Sequence, residues 1–310
     1  MNLAMVFPGQ GSQSVGMLAD LAGTYSSVQK TYSEASDVLG YDLWKIVADG
    51  PEEKLNMTEV TQPAMLAAGV ACWRIWQEEG GTSPTHLAGH SLGEYTALVC
   101  AGAISFADGV AAVAERARLM QSVSKPGESS MAAVIGLDDA KVQDICDEAS
   151  TIGVAEAVNF NSPGQVVIAG HVRAVESVVE LAKEGGARRA ILLPVSVPSH
   201  SSIMRPAGQG LADFLAGIDI RDPDIPVISA MLARPYESAS DVRQILRDQV
   251  SSPVQWVRTT LELVSQGADT IVECGPGKVL SGLIRRIDKS IGIGYLNDNE
   301  SLEKALALAA

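Results

Sequence analysis

Short apolar runs bounded by turn residues alternate along the chain with apolar residues at helical spacing. Leu3–Phe7 is continuously apolar and stops at Pro8-Gly9, which predicts a buried strand. His86–Gly89 predicts a second, shorter strand that leads directly into a helical pattern. Apolar residues in Asp108–Gln121 recur at i, i+3, i+4 and i+7, which predicts a helix with Asp108 as its N-cap. This alternation is typical of the α/β class.

The middle of the chain predicts a smaller unit inserted into a larger one. Four strand patterns and two amphipathic helical patterns follow in the order β-α-β-β-α-β, as in the ferredoxin-like fold. The predicted strands are Met131–Leu137, Val154–Asn161, Gln165–Ala169 and Ala190–Val195. We therefore expect a ferredoxin-like small subdomain at 125–198, inserted into a discontinuous α/β subdomain formed by 1–124 and 199–310.

Composition and charge exclude several functional classes. At 310 residues the chain reaches the size, roughly 250–300 residues, at which a single hydrophobic core stops growing. Hydrophobic residues make up 46% of the chain, which is too apolar for a disordered protein. The 23 Lys and Arg against 37 Asp and Glu give a net charge of −14. We expect no nucleic-acid partner, because such binding depends on basic side chains that neutralise phosphates.

Cysteine spacing and the N-terminus both favour a cytoplasmic protein. The four cysteines are far apart, which fits neither a disulfide framework nor a zinc site, and no His/Asp/Glu cluster has metal-ligand spacing. The N-terminus lacks the basic segment of a signal peptide. The most apolar stretch, Ala97–Ala114, is interrupted by Ser105 and Asp108, so we expect no membrane span. We also expect a monomer without a bound metal.

Gly89-His90-Ser91-Leu92-Gly93 matches the G-x-S-x-G pattern of a nucleophile elbow. The predicted strand before it and the helix after it are the context that an elbow requires. Glycines permit the sharp turn, and a helix N-terminus favours a developing oxyanion. The alternative is that Ser91 only caps the helix.

A serine nucleophile needs a base, and the chain has four histidines. His90 lies inside the tight turn, so its side chain is expected to point away from Ser91 while still able to line the site. His86 is expected to be structural, and His171 to be a solvated helix cap. His200 is left as the candidate base, and Ser before His is the chain order of α/β-hydrolase-like sites. A structural loop histidine is the alternative at position 200.

Seven blocks along the chain, one of which contains the elbow, resemble one family: the malonyl-CoA:acyl-carrier-protein transacylases of type II fatty acid synthesis. They occur in that family's order and span nearly the whole chain. The blocks are Phe7–Gln13, Gly89–Tyr95, Glu115–Gln121, Asn159–Gln165, Val197–His200, Ser252–Trp256 and Glu273–Gly277. The resemblance implies an α/β-hydrolase-like large subdomain with the ferredoxin-like insertion.

The resemblance also implies a role for each matching residue. Ser91 would be the acylated nucleophile and His200 its general base. A backbone carbonyl, not a carboxylate, orients the histidine in this family, and Gln249 is the matching residue. Backbone N–H groups of Gln10 and Leu92 would form the oxyanion hole.

One arginine of the 106–123 region is expected to bind the carboxylate of the malonyl group. Periodicity places Arg116 and Arg118 on opposite flanks of the apolar stripe and does not choose between them. The resemblance selects Arg116 and leaves Arg118 on a solvated face. A planar guanidinium binds a carboxylate bidentately and is left unpaired by an acetyl group. One residue would therefore both attract malonyl and disfavour acetyl.

The implied reaction is ping-pong transfer of malonyl from malonyl-CoA to the phosphopantetheine thiol of holo-acyl carrier protein, with no cofactor beyond these substrates. The alternatives are the malonyl-transferring component of a malonate decarboxylase, a serine thioesterase, and a carrier-docking module without activity. Carrier proteins of this family are acidic, so docking is expected to need a local basic patch. Its candidates are Arg188-Arg189, Lys278 and Arg285-Arg286.

Overall fold

A computed structural model describes residues 2–125, 127–195 and 197–310. Pro126 and Ser196, near the two ends of the predicted 125–198 subdomain, lie outside the described residues. The strands are β1 (Leu3–Phe7), β2 (His86–Gly89), β3 (Ser129–Ile135), β4 (Ala155–Ser162), β5 (Gln165–His171), β6 (Arg189–Leu192), β7 (Val227–Ile228), β8 (Thr270–Cys274) and β9 (Gly292–Leu296).

Helices precede, separate and follow these strands. They are α1 (Ala19–Thr24), α2 (Ser26–Leu39), α3 (Leu43–Asp49), α4 (Glu52–Leu55), α5 (Thr58–Glu78), α6 (Gly93–Cys100), α7 (Phe106–Val123), α8 (Asp139–Ala149), α9 (Val172–Glu184), α10 (Arg205–Ala216), α11 (Ala239–Gln249), α12 (Trp256–Ser265), α13 (Val279–Ile287) and α14 (Asn299–Leu308). A 3₁₀ turn at Ser202–Met204 precedes α10.

The larger sheet is parallel and has the strand order β7-β2-β1-β8-β9. Strands β1 and β8 are buried along their whole length, as expected for a parallel sheet covered on both faces. Helix α5 is buried around nearly all of its surface and packs against α2, α6 and α7. The predicted limits of β1 and β2 match the structure residue for residue.

The smaller sheet is antiparallel and has the order β4-β5-β3-β6. Helices α8 and α9 bury their apolar stripes against it in a separate core. The buried stripe of α8 consists of Val142, Ile145, Cys146 and Ala149. The mixed α/β class predicted from the alternating pattern is confirmed.

Several predicted limits differ from the structure. Strand β3 is Ser129–Ile135 and not Met131–Leu137, and β4 and β5 differ by one or two residues at their ends. The N-cap of α7 is Ser105, whose hydroxyl accepts the Asp108 N–H at 3.1 Å, so the helix begins at Phe106. Both residues are good N-caps, and the sequence pattern does not rank them. Strand β6 ends at Leu192 and not at Val195. The reason is Pro194, which has no N–H to extend the sheet ladder.

Among the described residues, none of the helices combines the length and apolar character needed to span a bilayer.

Candidate active site

Ser91 lies in a strained turn between β2 and α6. Its φ of 53° is in the left-handed region, which is unusual for a residue with a side chain. The two flanking glycines make this turn possible. A Cβ at Gly89 would lie 1.9 Å from the carbonyl carbon of Gly93, and one at Gly93 would lie 2.1 Å from the carbonyl oxygen of Phe7. The chain therefore has the tight strand-to-helix turn of a nucleophile elbow.

The structure brings Ser91 and His200 together from positions 109 residues apart. Ser91 Oγ lies 2.7 Å from His200 Nε2. On the other side of the ring, Nδ1 lies 2.8 Å from the carbonyl oxygen of Gln249 and 3.2 Å from that of Ser252. Carbonyl oxygens only accept, so Nδ1 carries the proton and Nε2 is free to accept the Ser91 hydroxyl hydrogen.

The C-terminus of α11 explains why the Gln249 carbonyl is available. Gln249 is the last residue of that helix, and the last carbonyls of a helix have no partner within it. These carbonyls also form the negative end of the helix dipole. A backbone group thus takes the place that a carboxylate occupies in a Ser-His-Asp triad.

The environment of His200 keeps its imidazole neutral. Burial, and next the positive charge of Arg116, lower the pKa of His200 to about 3, while the hydrogen bond to the Gln249 carbonyl acts in the opposite direction. The side chain is 2% exposed. His200 is therefore unprotonated at neutral pH and able to take a proton from Ser91.

Arg116, on α7, is fully enclosed beside Ser91. Its Nη2 donates to Ser91 Oγ at 3.3 Å and to the Gln249 side-chain oxygen at 3.1 Å. Its Nη1 donates to the Gln62 side-chain oxygen at 2.7 Å. Burial lowers the pKa of Arg116, yet an arginine stays charged in proteins. Among the described residues Arg116 makes no salt bridge. Its guanidinium therefore faces Ser91 without a directly bound anion.

A cavity of about 660 Å³ opens over this cluster. Gln10, just after β1, and Leu92, just before α6, both line it. Within the part of the chain that the structure describes, neither of their backbone N–H groups makes a hydrogen bond. Part of the cavity lining is apolar and comes from the smaller sheet, the residue after β6, and α13: Met131, Val167, Leu193, Val279 and Leu283.

The other histidines take structural positions. His90 also lines the cavity, but its Nε2 is 2.8 Å from Asn161 Oδ1 and its ring packs edge-on against Trp256. His86 is hydrogen-bonded to its neighbour Thr85, and His171 is the exposed N-cap residue of α9. These positions agree with the sequence-based interpretation of each histidine.

Arg118 lies apart from the cluster. It points to solvent and pairs with Glu115 at 2.7 Å, one turn earlier on α7. The solvated position expected for Arg118 therefore agrees with the structure, and Arg116 is the arginine of α7 that faces Ser91.

One of the three basic clusters proposed for docking touches the cavity rim. Arg286 Nη1 donates to the side chain of Gln165, which lines the cavity. Lys278 lies over the ring of Tyr295, 5.9 Å from its centre. Arg188 and Arg286 also line a shallow depression beside the rim.

Two residues of the cluster were not predicted from the sequence. Gln62 is buried on α5 and holds Arg116, and Glu94 is buried in the first turn of α6 and contacts Gln249. The available signals were a glutamine beside the long apolar run of α5 and an acid directly after the elbow motif. Over residues 2–125, 127–195 and 197–310, no group of three His, Cys, Asp or Glu is arranged to hold a metal ion.

Comparison with known proteins decides the family. A family model of the acyl transferase domain matches residues 4–299. The chain belongs to the acyl transferase family. Among its relatives is the malonyl CoA-acyl carrier protein transacylase of Escherichia coli K12, which is 50% identical over 305 residues, covering 98% of this chain and 99% of that protein. The resemblance identified from the sequence is confirmed, and the chain is an acyltransferase.

Solved acyl transferases have the same fold as this one. The malonyl CoA-acyl carrier protein transacylase of Coxiella burnetii is 44% identical, with a TM-score of 0.98 over 100% of this chain and 98% of that one. A malonyl-transacylase solved in complex with its type II PKS acyl-carrier protein is 49% identical, with a TM-score of 0.98 over 99% of both chains.

Proposed function

We propose that this acyl transferase moves a malonyl group from malonyl-CoA to the phosphopantetheine thiol of an acyl carrier protein, through a malonyl ester of Ser91. One observation carries the proposal: Ser91 Oγ lies 2.7 Å from a neutral His200 and 3.3 Å from the guanidinium of Arg116. The first contact suits a nucleophile, and the second suits a substrate with a free carboxylate. The names of the relatives support the same reaction.

In the first half-reaction His200 Nε2 takes the Ser91 proton as Oγ attacks the thioester carbon. The N–H groups of Gln10 and Leu92 stabilise the oxyanion of the tetrahedral intermediate. When that intermediate collapses, the C–S bond breaks and coenzyme A leaves as a thiol with the proton from His200.

The second half-reaction reverses these steps with another thiol. His200 takes the proton of the carrier's phosphopantetheine thiol, whose sulfur attacks the malonyl ester carbonyl. Collapse returns the proton to Ser91 Oγ, and the malonyl group leaves on the carrier. The apolar wall at Met131, Val167 and Leu193 suits the pantetheine arm and helps to keep water from the ester.

Arg116 gives the site its preference for a dicarboxylic acyl group. The free carboxylate of a malonyl ester on Ser91 reaches the guanidinium and binds it bidentately. Acetyl offers the buried cation no partner, which disfavours that substrate.

The same proposal includes a finer description of the fold and setting. The larger, α/β-hydrolase-like subdomain would comprise 1–124 and 199–310, and the ferredoxin-like subdomain 125–198. The strand order β4-β5-β3-β6 supports the second description, as does the chain order, in which α8 follows β3 and α9 follows β5. Four free cysteines, three of them buried, support a reducing cytoplasmic location. The substrates supply all the chemistry, so no further cofactor is needed.

The acceptor distinguishes this function from hydrolysis. With malonyl-CoA, water and holo-carrier protein all present, we expect malonyl-carrier to form and free malonate to stay at the level of a protein-free control. Free malonate as the main product would identify a thioesterase. Transfer to the carrier subunit of a malonate decarboxylase, with none to a fatty-acid-type carrier, would identify that component instead.

A further inference from the structure

Glu94 is a fully buried acid that the proposed mechanism does not use. It is 0% exposed and lies in the first turn of α6, three residues after Ser91. Its Oε1 accepts hydrogen bonds from Tyr236 Oη at 2.6 Å and from the Ala230 backbone N–H at 3.1 Å. Its Oε2 accepts a hydrogen bond from Gln249 Nε2. An acid this deeply buried is costly unless its partners stabilise it.

The side chain of Gln249 connects Glu94 to Arg116. Gln249 Nε2 also donates to the backbone oxygen of Ser91 at 2.9 Å. Its Oε1 accepts from Arg116 Nη2 at 3.1 Å. An amide has a donor end and an acceptor end of nearly the same shape, so neighbours decide its orientation. Glu94 contributes to this choice together with the Ser91 backbone oxygen, since both groups only accept and both face the NH₂ group.

We propose that Glu94 is a positioning residue for malonyl selectivity, acting through Gln249 on Arg116. The inference rests on the proposed malonyl transfer. With Gln249 held, its oxygen faces Arg116 and aligns Nη2 with Ser91. Burial raises the pKa of Glu94, and the hydrogen bonds that it accepts from Tyr236 and Gln249 act in the opposite direction. One amide therefore lies between this buried acid and the cationic Arg116.

The relay explains how Arg116 can be buried, charged and still available. A direct bidentate partner would stabilise the guanidinium but would occupy the donors that a malonyl carboxylate needs. Glu94 lies on the far side of the Gln249 amide from Arg116. Its electrostatic effect raises the pKa of Arg116 without occupying an N–H donor of the guanidinium. Of the five N–H donors of Arg116, three make hydrogen bonds within the described residues, all to uncharged oxygens.

A glutamine at position 94 would not satisfy the same partners. The Ala230 N–H donates to Oε1 of Glu94, and Gln249 Nε2 donates to Oε2. The NH₂ group of the new amide would have to face one of them. Glu94→Gln therefore favours a flipped Gln249 side chain, which would present its own NH₂ group to the guanidinium.

The test is a double-mutant cycle with Glu94→Gln, Gln249→Met and the double variant. Gln249→Met keeps the backbone carbonyl that holds His200 and removes only the side-chain relay. Each enzyme is assayed for acyl transfer from malonyl-CoA and from acetyl-CoA to holo-carrier protein, giving kcat and KM for each donor. Acetyl-CoA serves as the internal control because it has no carboxylate to place on Arg116.

We expect each single variant to lower the malonyl-to-acetyl ratio of kcat/KM on the order of tenfold, mainly through KM for malonyl-CoA, as for loss of one charge-assisted hydrogen bond. The double variant should lose no more than Gln249→Met alone, because Glu94 acts through that side chain. Equal losses for both donors with an unchanged ratio, or losses that multiply in the double variant, would overturn the inference.

If Glu94→Gln does not fold, Tyr236→Phe replaces it in the same assay of the malonyl-to-acetyl ratio. It removes one hydroxyl from Glu94 and should reduce the ratio by about two- to fivefold in the otherwise unmodified enzyme. Combined with Gln249→Met, the same change should cause no further reduction, because the relay is already broken. An unchanged ratio for Tyr236→Phe alone would overturn the inference. If the unmodified protein itself transfers acetyl as readily as malonyl, the proposed function fails, which is a different result.

Discussion

Ser91 and His200, joined by a 2.7 Å hydrogen bond, both have a left-handed backbone, with φ of 53° and 68°. Such conformations are strained for residues with a side chain and persist only where the surroundings hold them. The Gly89 and Gly93 turn holds Ser91, and the bond from His200 N–H to the Val250 carbonyl, at 2.9 Å, holds His200. The backbone on both sides therefore holds in place the two residues that we propose react.

The first prediction concerns the shape of the cation at position 116. Arg116→Lys keeps the charge but loses the planar fork, so kcat/KM for malonyl-CoA should fall about 10- to 100-fold. Transfer of acetyl should change much less. Arg118→Lys is the matched control, two residues away on the solvated face, and should leave both rates as they are. An Arg116→Lys enzyme with full malonyl preference would contradict bidentate binding.

The second prediction concerns pH. Because burial and Arg116 lower the pKa of His200 to about 3, the base is already unprotonated well below the usual histidine pKa of about 6.5. The kcat/KM for malonyl-CoA should therefore hold steady as the pH falls from about 7 to about 5, at pH values where the enzyme is folded. Stopped-flow acylation rates would measure this, and a loss of rate centred at the usual histidine pKa would contradict it.

A bound malonyl group should shift this profile in a known direction. Its carboxylate offsets the Arg116 charge that lowers the pKa of His200, so the pKa in the enzyme–substrate complex is higher than in the free enzyme. The acid limb of kcat should then lie at higher pH than that of kcat/KM. Coincident limbs would mean that the carboxylate does not sit on Arg116.

The third prediction concerns the elbow glycines. Gly89→Ala places a methyl group 1.9 Å from the Gly93 carbonyl carbon, an overlap that only a backbone shift can relieve. We expect a loss of about 1–3 kcal/mol in the free energy of unfolding, together with loss of transfer. Gly23→Ala, in α1 with nothing within 4 Å, is the control and should be neutral or stabilising. Urea denaturation of both variants would compare them, and equal stabilities would contradict the steric argument.

The fourth prediction concerns the link between the smaller sheet and the histidine loop. Glu156, on β4, accepts from the Ser202 N–H at 2.6 Å and from its hydroxyl at 2.7 Å, two residues after His200. Glu156→Gln weakens this clamp, so kcat should fall several-fold while KM changes little. Glu180→Gln, which removes an exposed ion pair with Lys183, should have no effect on kcat. A Glu156→Gln enzyme with the kcat of the unmodified protein would show that the clamp does not position His200.

Local elements were predictable where one signal dominated. The β1 run is continuously apolar and ends at Pro8-Gly9, so its limits follow from sequence. The start of α7 could not be predicted in the same way, because Ser105 and Asp108 are both capping residues and form a hydrogen bond to each other. End positions depend on which of two adequate caps the tertiary packing selects.

The site divides in the same way. The elbow is a local pattern, comparison of the four histidines left His200 as a candidate base, and the family resemblance assigned its role together with those of Arg116 and Gln249. The side-chain relay from Glu94 through Gln249 was invisible, because it joins residues 155 positions apart and depends on the orientation of one amide. Gln62 was equally hidden, since α5 has the pattern of a buried helix and only its packing on α7 brings Gln62 to Arg116.

The central claim is that Ser91 carries the malonyl group between two thiols, and intact-mass analysis tests it most directly. After incubation with malonyl-CoA, the protein should gain the mass of one malonyl group, and holo-carrier protein should then remove it and gain the same mass. Ser91→Ala should show no gain, whereas Ser12→Ala, at another cavity-lining serine, should be labelled like the unmodified protein. Labelling of Ser91→Ala to the full extent would contradict the account.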